Sequence, residues 1–158
     1  MIRTPDWSIW LDMADSYAKK MTGCTKVHVG SIITSADRRN IISIGANRAV
    51  PDLCKIRGCL RVEKYGNNDK THRGPADCRA IHSEIDAICN AGGSVKGATI
   101  FVTRYPCESC ARAIVSAGIK VVVYGRQQGI SDETAKIFED GKVSAIWLRE
   151  WDAPDVNN

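Results

Sequence analysis

The sequence predicts a three-layer α/β/α domain with a mixed five-stranded sheet, and three observations support this fold class. The chain has 158 residues, 44% of them apolar and 25% charged, which suits one compact domain with a substantial core. Two β-branched runs, residues 27–34 and 41–44, flank the polar segment SADRRN and indicate an antiparallel strand pair. From residue 80 onward, helical and strand patterns alternate, which favours parallel strands connected by helices.

The other predicted elements follow in chain order. An N-terminal helix is predicted over residues 6–21, where apolar side chains recur at helical spacing after Pro5. Further helices are predicted over 80–91, 107–117 and 132–139, and further strands over 99–103, 121–124 and 144–148. The C-terminal segment WDAPDVNN is predicted to be loose. No repeat or change of composition divides the chain, so residues 1–158 are predicted to form a single domain.

A segment at about 48–79 interrupts this regular pattern. It lacks apolar periodicity and is rich in Gly, Asn, Lys and Arg, with several Cys and a His among them. The segment therefore predicts a long Cys/His-rich loop insert. Loops of this length without secondary structure are usually functional or held by an internal brace.

Charge and cysteine content narrow the class of protein. The formal net charge of +4 suits a phosphorylated small-molecule substrate. It is too small to indicate a nucleic-acid partner. No apolar run approaches the roughly 20 residues that span a bilayer, and the charged N-terminus does not have the pattern of a secretory signal. A cytoplasmic protein without membrane attachment is therefore expected. Its seven cysteines then predict metal binding or catalysis rather than disulfides.

Two short motifs carry the chemistry. His82-Ser83-Glu84 stands at the start of one predicted helix, and Pro106-Cys107-Glu108-Ser109-Cys110 at the start of the next. One imidazole and two thiolates from His82, Cys107 and Cys110 make a three-ligand zinc set that leaves the fourth tetrahedral position for water. Glu84 follows the histidine closely enough to face that water without being a ligand. Either motif alone could be a redox pair or a surface pair, but their order and spacing together match the H-x-E…P-C-x-x-C signature of zinc nucleobase deaminases.

Three longer segments extend the match beyond these motifs. CRAIHSEIDAICNAG, VTRYPCESCARAIVSAGIKVVVYG and VHVGSIITSADRRNIISIGANR resemble the HAE helix, the strand–PCxxC helix–strand unit and the opening hairpin of the cytidine and deoxycytidylate deaminase superfamily. The resemblance runs from about Gly23 to Trp147 and is greatest to dCMP deaminases, including phage members. It implies a cytidine-deaminase-like fold and hydrolysis of dCMP to dUMP and ammonia, which supplies the precursor for thymidylate synthesis. It also implies a homo-oligomer, a hexamer in the family.

The resemblance also implies roles for individual residues. Glu84 takes a proton from the zinc-activated water, delivers it to N3 of the cytosine ring and later protonates the departing amine. The carbonyl of Tyr105 accepts from the exocyclic amine, and Asn47 binds the sugar. A basic residue at the end of the first hairpin, Arg48 or Lys26, is expected to meet the phosphate.

The chain departs from the family pattern at three places. It has HSE where the family usually has HAE, and because Ser and Ala are close in size we expect little effect. Tyr105 stands where a small or acidic residue is usual and is expected to crowd or stack on the ligand. The sequence GANR at Gly45–Arg48 replaces the GYNG-type motif of regulated dCMP deaminases, which predicts no response to dCTP or dTTP.

A second metal site is predicted in and around the insert. Some phage relatives hold a second, structural zinc with ligands from this region, and Cys24, Cys54 and His72 match those ligands. The fourth ligand is expected to be Cys78, with Cys59 as the alternative. A closed four-ligand zinc would brace a segment that has few apolar residues. Cys89, on a predicted helix, is expected to be a small core residue instead.

Two other functions fit parts of the sequence. A nucleic-acid base deaminase of the same superfamily, acting on tRNA or a single strand, would accept the Gly45–Arg48 sequence but calls for a basic face that a net charge of +4 does not supply. A zinc-braced binding module without catalysis would need no Glu84 beside an open coordination position.

Overall fold

The computed structural model describes residues 6–24, 26–49, 53–66, 78–127 and 130–151. The helices in these ranges are α1 Ser8–Met21, α2 Leu53–Arg57, α3 Leu60–Tyr65, α4 Ser83–Asn90, α5 Glu108–Ser116 and α6 Asp132–Asp140. The strands are β1 Gly30–Thr34, β2 Ile41–Ala46, β3 Arg48–Ala49, β4 Ala80–Ile81, β5 Thr99–Arg104, β6 Val121–Arg126 and β7 Ser144–Trp147. None of the described helices is long and apolar enough to cross a membrane.

Five of the strands form the predicted mixed sheet, in the order β2-β1-β5-β6-β7. Strand β1 pairs antiparallel with β2 and with β5, whereas β5, β6 and β7 run parallel to one another. The helices α5 and α6 lie between the parallel strands in the sequence, as crossover connections require. The fold class predicted from the sequence is confirmed.

The two faces of the sheet support the other two layers. Along β5, Ile100 and Val102 belong to one apolar core with residues of α4, α5 and α6, and Phe101 belongs to a second core with Leu11 of α1. All three β5 residues are fully buried. Because side chains alternate between the faces of a strand, β5 must be apolar at successive positions to be covered on both sides.

The helix α1 packs unusually close to the sheet at Gly30. A Cβ atom on this glycine would lie 2.0 Å from the carbonyl oxygen of Ala14. Only a residue without a side chain allows this approach, so Gly30 sets the distance between α1 and β1.

The described part of the insert differs from the predicted loop, because residues 53–57 and 60–65 form the helices α2 and α3. Each helix is one or two turns long, too short for a periodic apolar pattern to stand out in the sequence. The strands β3 and β4 pair antiparallel and bring the two ends of the insert together.

The C-terminal segment also differs from its prediction at its first residue. Trp151 is 6% exposed, and its indole N–H donates to Asp12 at 2.8 Å. The ring lies against Gly125, where a Cβ atom would come within 2.1 Å of it. The rest of this segment, and His72 of the insert, lie outside the described residues.

Candidate metal centre

Two helix starts meet at the edge of the sheet and carry the predicted metal ligands. His82 is the residue before the first turn of α4, and Cys107 is the residue before the first turn of α5. Cys110 lies on the first turn of α5, three residues after Cys107. The positive end of a helix dipole and its free N–H groups favour thiolates at such positions.

The spacing of the three ligand atoms suits a tetrahedral zinc ion. The Sγ atoms of Cys107 and Cys110 each lie 3.4 Å from Nδ1 of His82. With Zn–S bonds of about 2.3 Å and Zn–N bonds of about 2.0–2.1 Å, tetrahedral geometry requires an S···N separation of about 3.6 Å. Among the described residues, this is the only group of three or more such side chains whose ligand atoms all lie within 4.8 Å of one another.

The electrostatics of the two sulfurs agree with this arrangement. Cys110 donates a hydrogen bond to Cys107, and this bond lowers the pKa of the Cys107 thiol to about 3 and raises the pKa of Cys110. The same cluster raises the pKa of His82, first through its hydrogen bond with Cys107. In the absence of a metal, protons on His82 and Cys110 provide the positive charge that a metal cation would supply. The donor set therefore fits zinc.

Glu84 lies beside these ligands in a buried position. Glu84 is only 4% exposed, and burial raises the pKa of its carboxyl group above the ordinary value. The charge of the carboxylate also raises the pKa of the neighbouring Cys110 thiol. A carboxyl group with a raised pKa, next to a metal with an open position, suits a general acid and base.

A glycine in the neighbouring strand allows α4 to bring its first turn to this point. A Cβ atom on Gly45 would lie 2.3 Å from the carbonyl oxygen of Ser83 and 2.4 Å from the backbone nitrogen of Ala87. The backbones of β2 and α4 therefore touch at the start of the helix, where His82 and Glu84 lie. Gly45 thus sets how closely these two residues approach the sheet.

Asn47, predicted to bind the sugar, is 5% exposed and makes several contacts with the protein itself. Its Oδ1 accepts from the backbone N–H of Val29 and the hydroxyl of Thr22, at 2.8 and 3.0 Å. Its Nδ2 donates to the carbonyl of Val27 at 2.9 Å. These bonds tie the segment before β1 to the end of β2, and they leave one hydrogen of the amide NH2 group to contact a ligand.

Arg48, one of the two predicted phosphate ligands, pairs with a buried carboxylate. Its Nε and Nη2 atoms donate to Oδ1 of Asp86 at 3.1 and 2.9 Å, and Asp86 Oδ2 accepts from the backbone of Ala46. The pair attaches the end of β2 to the helix α4. Much of the charge of Arg48 is therefore already balanced inside the protein.

Tyr105 and Lys26 complete the set of predicted substrate contacts. The ring of Tyr105 packs edge-on against Tyr124 and Phe138, with centroids 4.8 and 6.3 Å away. The ring is therefore partly buried and packs against the core beside α6. Lys26 lies next to the cysteine cluster described below, where its backbone N–H donates to Cys24 Sγ at 3.4 Å.

Arg61 is a residue near the metal centre that sequence analysis missed. It lies on α3 in the insert, and its charge is close enough to His82 to oppose the protonation of that side chain. No motif marks this arginine, because its position depends on how the insert folds back. The Cys/His-rich composition of the insert was the only signal that the segment approaches a functional centre.

Four cysteines come together at the base of the insert. Burial raises the pKa of the Cys54 thiol, and the charges of Cys24, Cys78 and Cys59 raise it further. Cys24 Sγ and Cys78 Sγ each accept a backbone N–H bond at 3.4 Å, from the residue two positions later. The four sulfurs are more widely spread than the ligand atoms around His82. Cys89, expected in the core, is exposed instead.

Comparisons with known proteins agree with this arrangement. A family model described as MafB19-like deaminase matches residues 5–145. The chain is 31% identical over 126 residues to ComE operon protein 2 of Bacillus subtilis, covering 77% of this chain and 60% of that protein. It is 29% identical over 133 residues to the deoxycytidylate deaminase of Mycobacterium phage D29, covering 78% of this chain and 97% of that enzyme.

A solved structure shares the fold. The dCMP deaminase of cyanophage S-TIM5, determined in complex with dCMP and dUMP, aligns with a TM-score of 0.65 and 19% identity. The alignment covers 92% of this chain and all of that one. At this level of identity the likeness establishes the fold.

The close contact at Gly45 leads to a prediction about metal retention. The substitution Gly45→Ala should displace the start of α4, and zinc should then be lost to a chelator about 10–100-fold more readily, as when groups supporting metal ligands are disturbed. Gly30→Ala is the matched control, because its Cβ would collide with α1 on the other face of the sheet. Both variants should unfold at lower temperature, with overpacking costing about 1–3 kcal/mol. Equal zinc retention in the two variants would contradict the positioning role of Gly45.

Proposed function

The chain belongs to the MafB19-like deaminase family, and on that premise we propose that it is a zinc-dependent enzyme that hydrolyses dCMP to dUMP and ammonia. The observation that carries the proposal is the buried Glu84 carboxylate next to a three-ligand group of His82, Cys107 and Cys110. A structural zinc site is closed by four protein ligands, whereas a three-ligand set with an adjacent acid suits catalysis. The dUMP formed would supply thymidylate synthesis.

The proposed mechanism assigns the proton transfers to Glu84. Zinc, when bound by His82, Cys107 and Cys110, supplies a Lewis acid that lowers the pKa of water from 15.7 to about 7. Glu84 accepts a proton from the attacking water and passes it to N3 of the ring. It then takes the proton of the hydroxyl group now on C4 and delivers it to the amine, so that ammonia leaves and the hydroxyl becomes the C4 carbonyl. The raised pKa of the buried carboxyl group suits both steps.

The substrate is proposed to be the deoxynucleoside monophosphate. Asn47 is the candidate for the sugar, and the backbone carbonyl of Tyr105 the candidate for the exocyclic amine. Lys26, Arg48 and Arg61 are the candidates for the phosphate. Arg61 is preferred of the three, since its charge acts on His82.

A second, structural zinc is proposed at the base of the insert. Cys24, Cys54 and His72 would supply three ligands, and either Cys78 or Cys59 the fourth. The backbone N–H bonds to Cys24 and Cys78 and the burial of Cys54 support this assignment. Zinc there would join the segment before β1, the helix α2 and the end of the insert, so that its binding energy would become folding energy.

The central test of the proposed function is ammonia release from dCMP, measured beside Glu84→Gln. The wild-type protein should release ammonia, and the variant should lose at least about 10²–10⁴-fold in rate, because a general acid/base has been removed. Zinc content should stay unchanged, since Glu84 is not a ligand. CMP, dCTP, single-stranded DNA and tRNA are tested in parallel. Activity confined to a nucleic acid would replace dCMP as the substrate, and near-normal activity of Glu84→Gln would contradict the mechanism.

The phosphate assignment predicts a selective effect of Arg61→Ala. The wild-type kcat/KM should be at least about 10²-fold higher for dCMP than for deoxycytidine, because the phosphate makes charge-assisted hydrogen bonds that the nucleoside lacks. Arg61→Ala should lower kcat/KM for dCMP about 10-fold or more and leave that for deoxycytidine unchanged. Arg57→Ala, at an exposed position on α2, is the control. A parallel loss with both substrates would show that Arg61 acts on the fold and not on the phosphate.

The second metal site predicts a change in zinc count. Protein purified without chelator should contain about two zinc ions per chain, and Cys24→Ser should lower the count by about one and reduce the unfolding temperature. Cys89→Ser, at an exposed cysteine, should change neither. Comparing Cys59→Ser with Cys78→Ser identifies the fourth ligand. A count of one that Cys24→Ser leaves unchanged would reject the second site.

A further inference from the structure

A chain of two buried hydroxyl groups ends on the Glu84 carboxylate. The Oγ atoms of Ser31 and Ser83 are 2.7 Å apart, and Ser83 Oγ donates to Glu84 Oε2 at 3.1 Å. Both serines are fully buried, at 0% exposure. The contact therefore lies inside the protein, where a hydrogen bond is strongest and an unmade one is most costly.

The direction of this chain follows from counting hydrogens. A serine hydroxyl has one hydrogen to donate, and Ser83 uses it on Glu84. While the Glu84 carboxylate is ionised and accepts this hydrogen, Ser31 is the donor and Ser83 the acceptor in the short contact between the two hydroxyls. The three groups form a one-way series, Ser31 to Ser83 to Glu84, in which Ser31 also fixes the rotation of the Ser83 hydroxyl.

The fold places the two serines opposite each other through a glycine. Ser31 of β1 is the cross-strand partner of Gly45 in β2, and both lie on the sheet face covered by α4. Because Gly45 has no side chain, the start of α4 comes close enough for Ser83 to reach Ser31. The series thus connects the carboxylate to a central strand, and not only to its own helix.

We propose that Ser83 and Ser31 are positioning residues for Glu84, which hold one carboxylate oxygen so that the other faces the metal centre and the substrate. This inference rests on the proposed deaminase function. Ser83 occupies the position where the HAE pattern has alanine, so the hydroxyl series belongs to this chain's own HSE motif. A carboxylate that must transfer two protons to different atoms depends on its orientation, and a misplacement of about 1 Å can cost about 10²-fold in rate.

The test compares Ser83→Ala, Ser31→Ala and the double variant, with Ser43→Ala as the matched control. Ser43 is also a buried serine that bonds α4, because its hydroxyl donates to the carbonyl of Ala87 at 2.8 Å, but it does not belong to the series. The assay is ammonia release from dCMP, with zinc content and unfolding temperature measured on every variant.

The series predicts a distinct kinetic pattern. Ser83→Ala should lower kcat about 10-fold with KM within about twofold of wild type, and Ser31→Ala should lower kcat by less. The double variant should be no slower than Ser83→Ala, because Ser31 acts only through Ser83. Ser43→Ala should keep the wild-type kcat, and all variants should keep their zinc.

The outcomes that contradict the inference are separable from failure of the proposed function. A Ser83→Ala kcat within about twofold of wild type, or losses that multiply in the double variant, would overturn the positioning role and leave the deaminase function standing. If Ser83→Ala does not fold, an unchanged kcat in Ser31→Ala would overturn the positioning role. Wild-type protein that releases no ammonia from any nucleotide would overturn both.

Discussion

The close approach of two helix starts is the constraint on which the rest of the structure depends. His82 and Cys107 each precede a helix, and a metal ion can be held only if α4 and α5 begin within about 4 Å of each other's ligand atoms. The pairing of β1 with β2 and β5 sets the sheet positions beneath them, and the missing side chain of Gly45 lets α4 reach its depth. The core of β5 and β6 then keeps α5 in place. The apolar core therefore holds the three ligand atoms in position.

The same part of the structure also supports the proton-transfer group. Glu84 lies one residue beyond Ser83, and Ser83 contacts both Gly45 and Ser31. Any change that moved α4 would therefore disturb the metal ligand and the carboxylate together. By contrast, the groups assigned to the sugar and phosphate lie on the hairpin end and the insert. In the proposed function, the reaction chemistry is therefore assigned to helix starts on the sheet and the substrate contacts to connecting segments.

Much of this arrangement could be predicted from the sequence, because its signals are local and periodic. The helices and strands of the sheet layers were predicted within a few residues, and the order of HSE and PCESC along the chain indicated the three metal ligands. Features that depend on contacts between distant segments could not be found this way. The pairing of Arg48 with Asp86, the burial of Trp151 and the packing of Tyr105 against Tyr124 all belong to this class. The serine at position 83 was judged by size alone, whereas its hydroxyl bonds only become visible when β1 and α4 are brought together.

X-ray absorption at the zinc edge tests the central claim most directly, since it reports the atoms that surround the metal at His82, Cys107 and Cys110. The measurement uses protein carrying Cys24→Ser, so that the signal from the base of the insert is removed. Two sulfur neighbours at about 2.3 Å and two lighter ones at about 2.0–2.1 Å are expected, one of the latter being His82 and the other an exchangeable ligand. A zinc surrounded by three or four sulfurs, or a spectrum that His82→Ala leaves unchanged, would contradict the account.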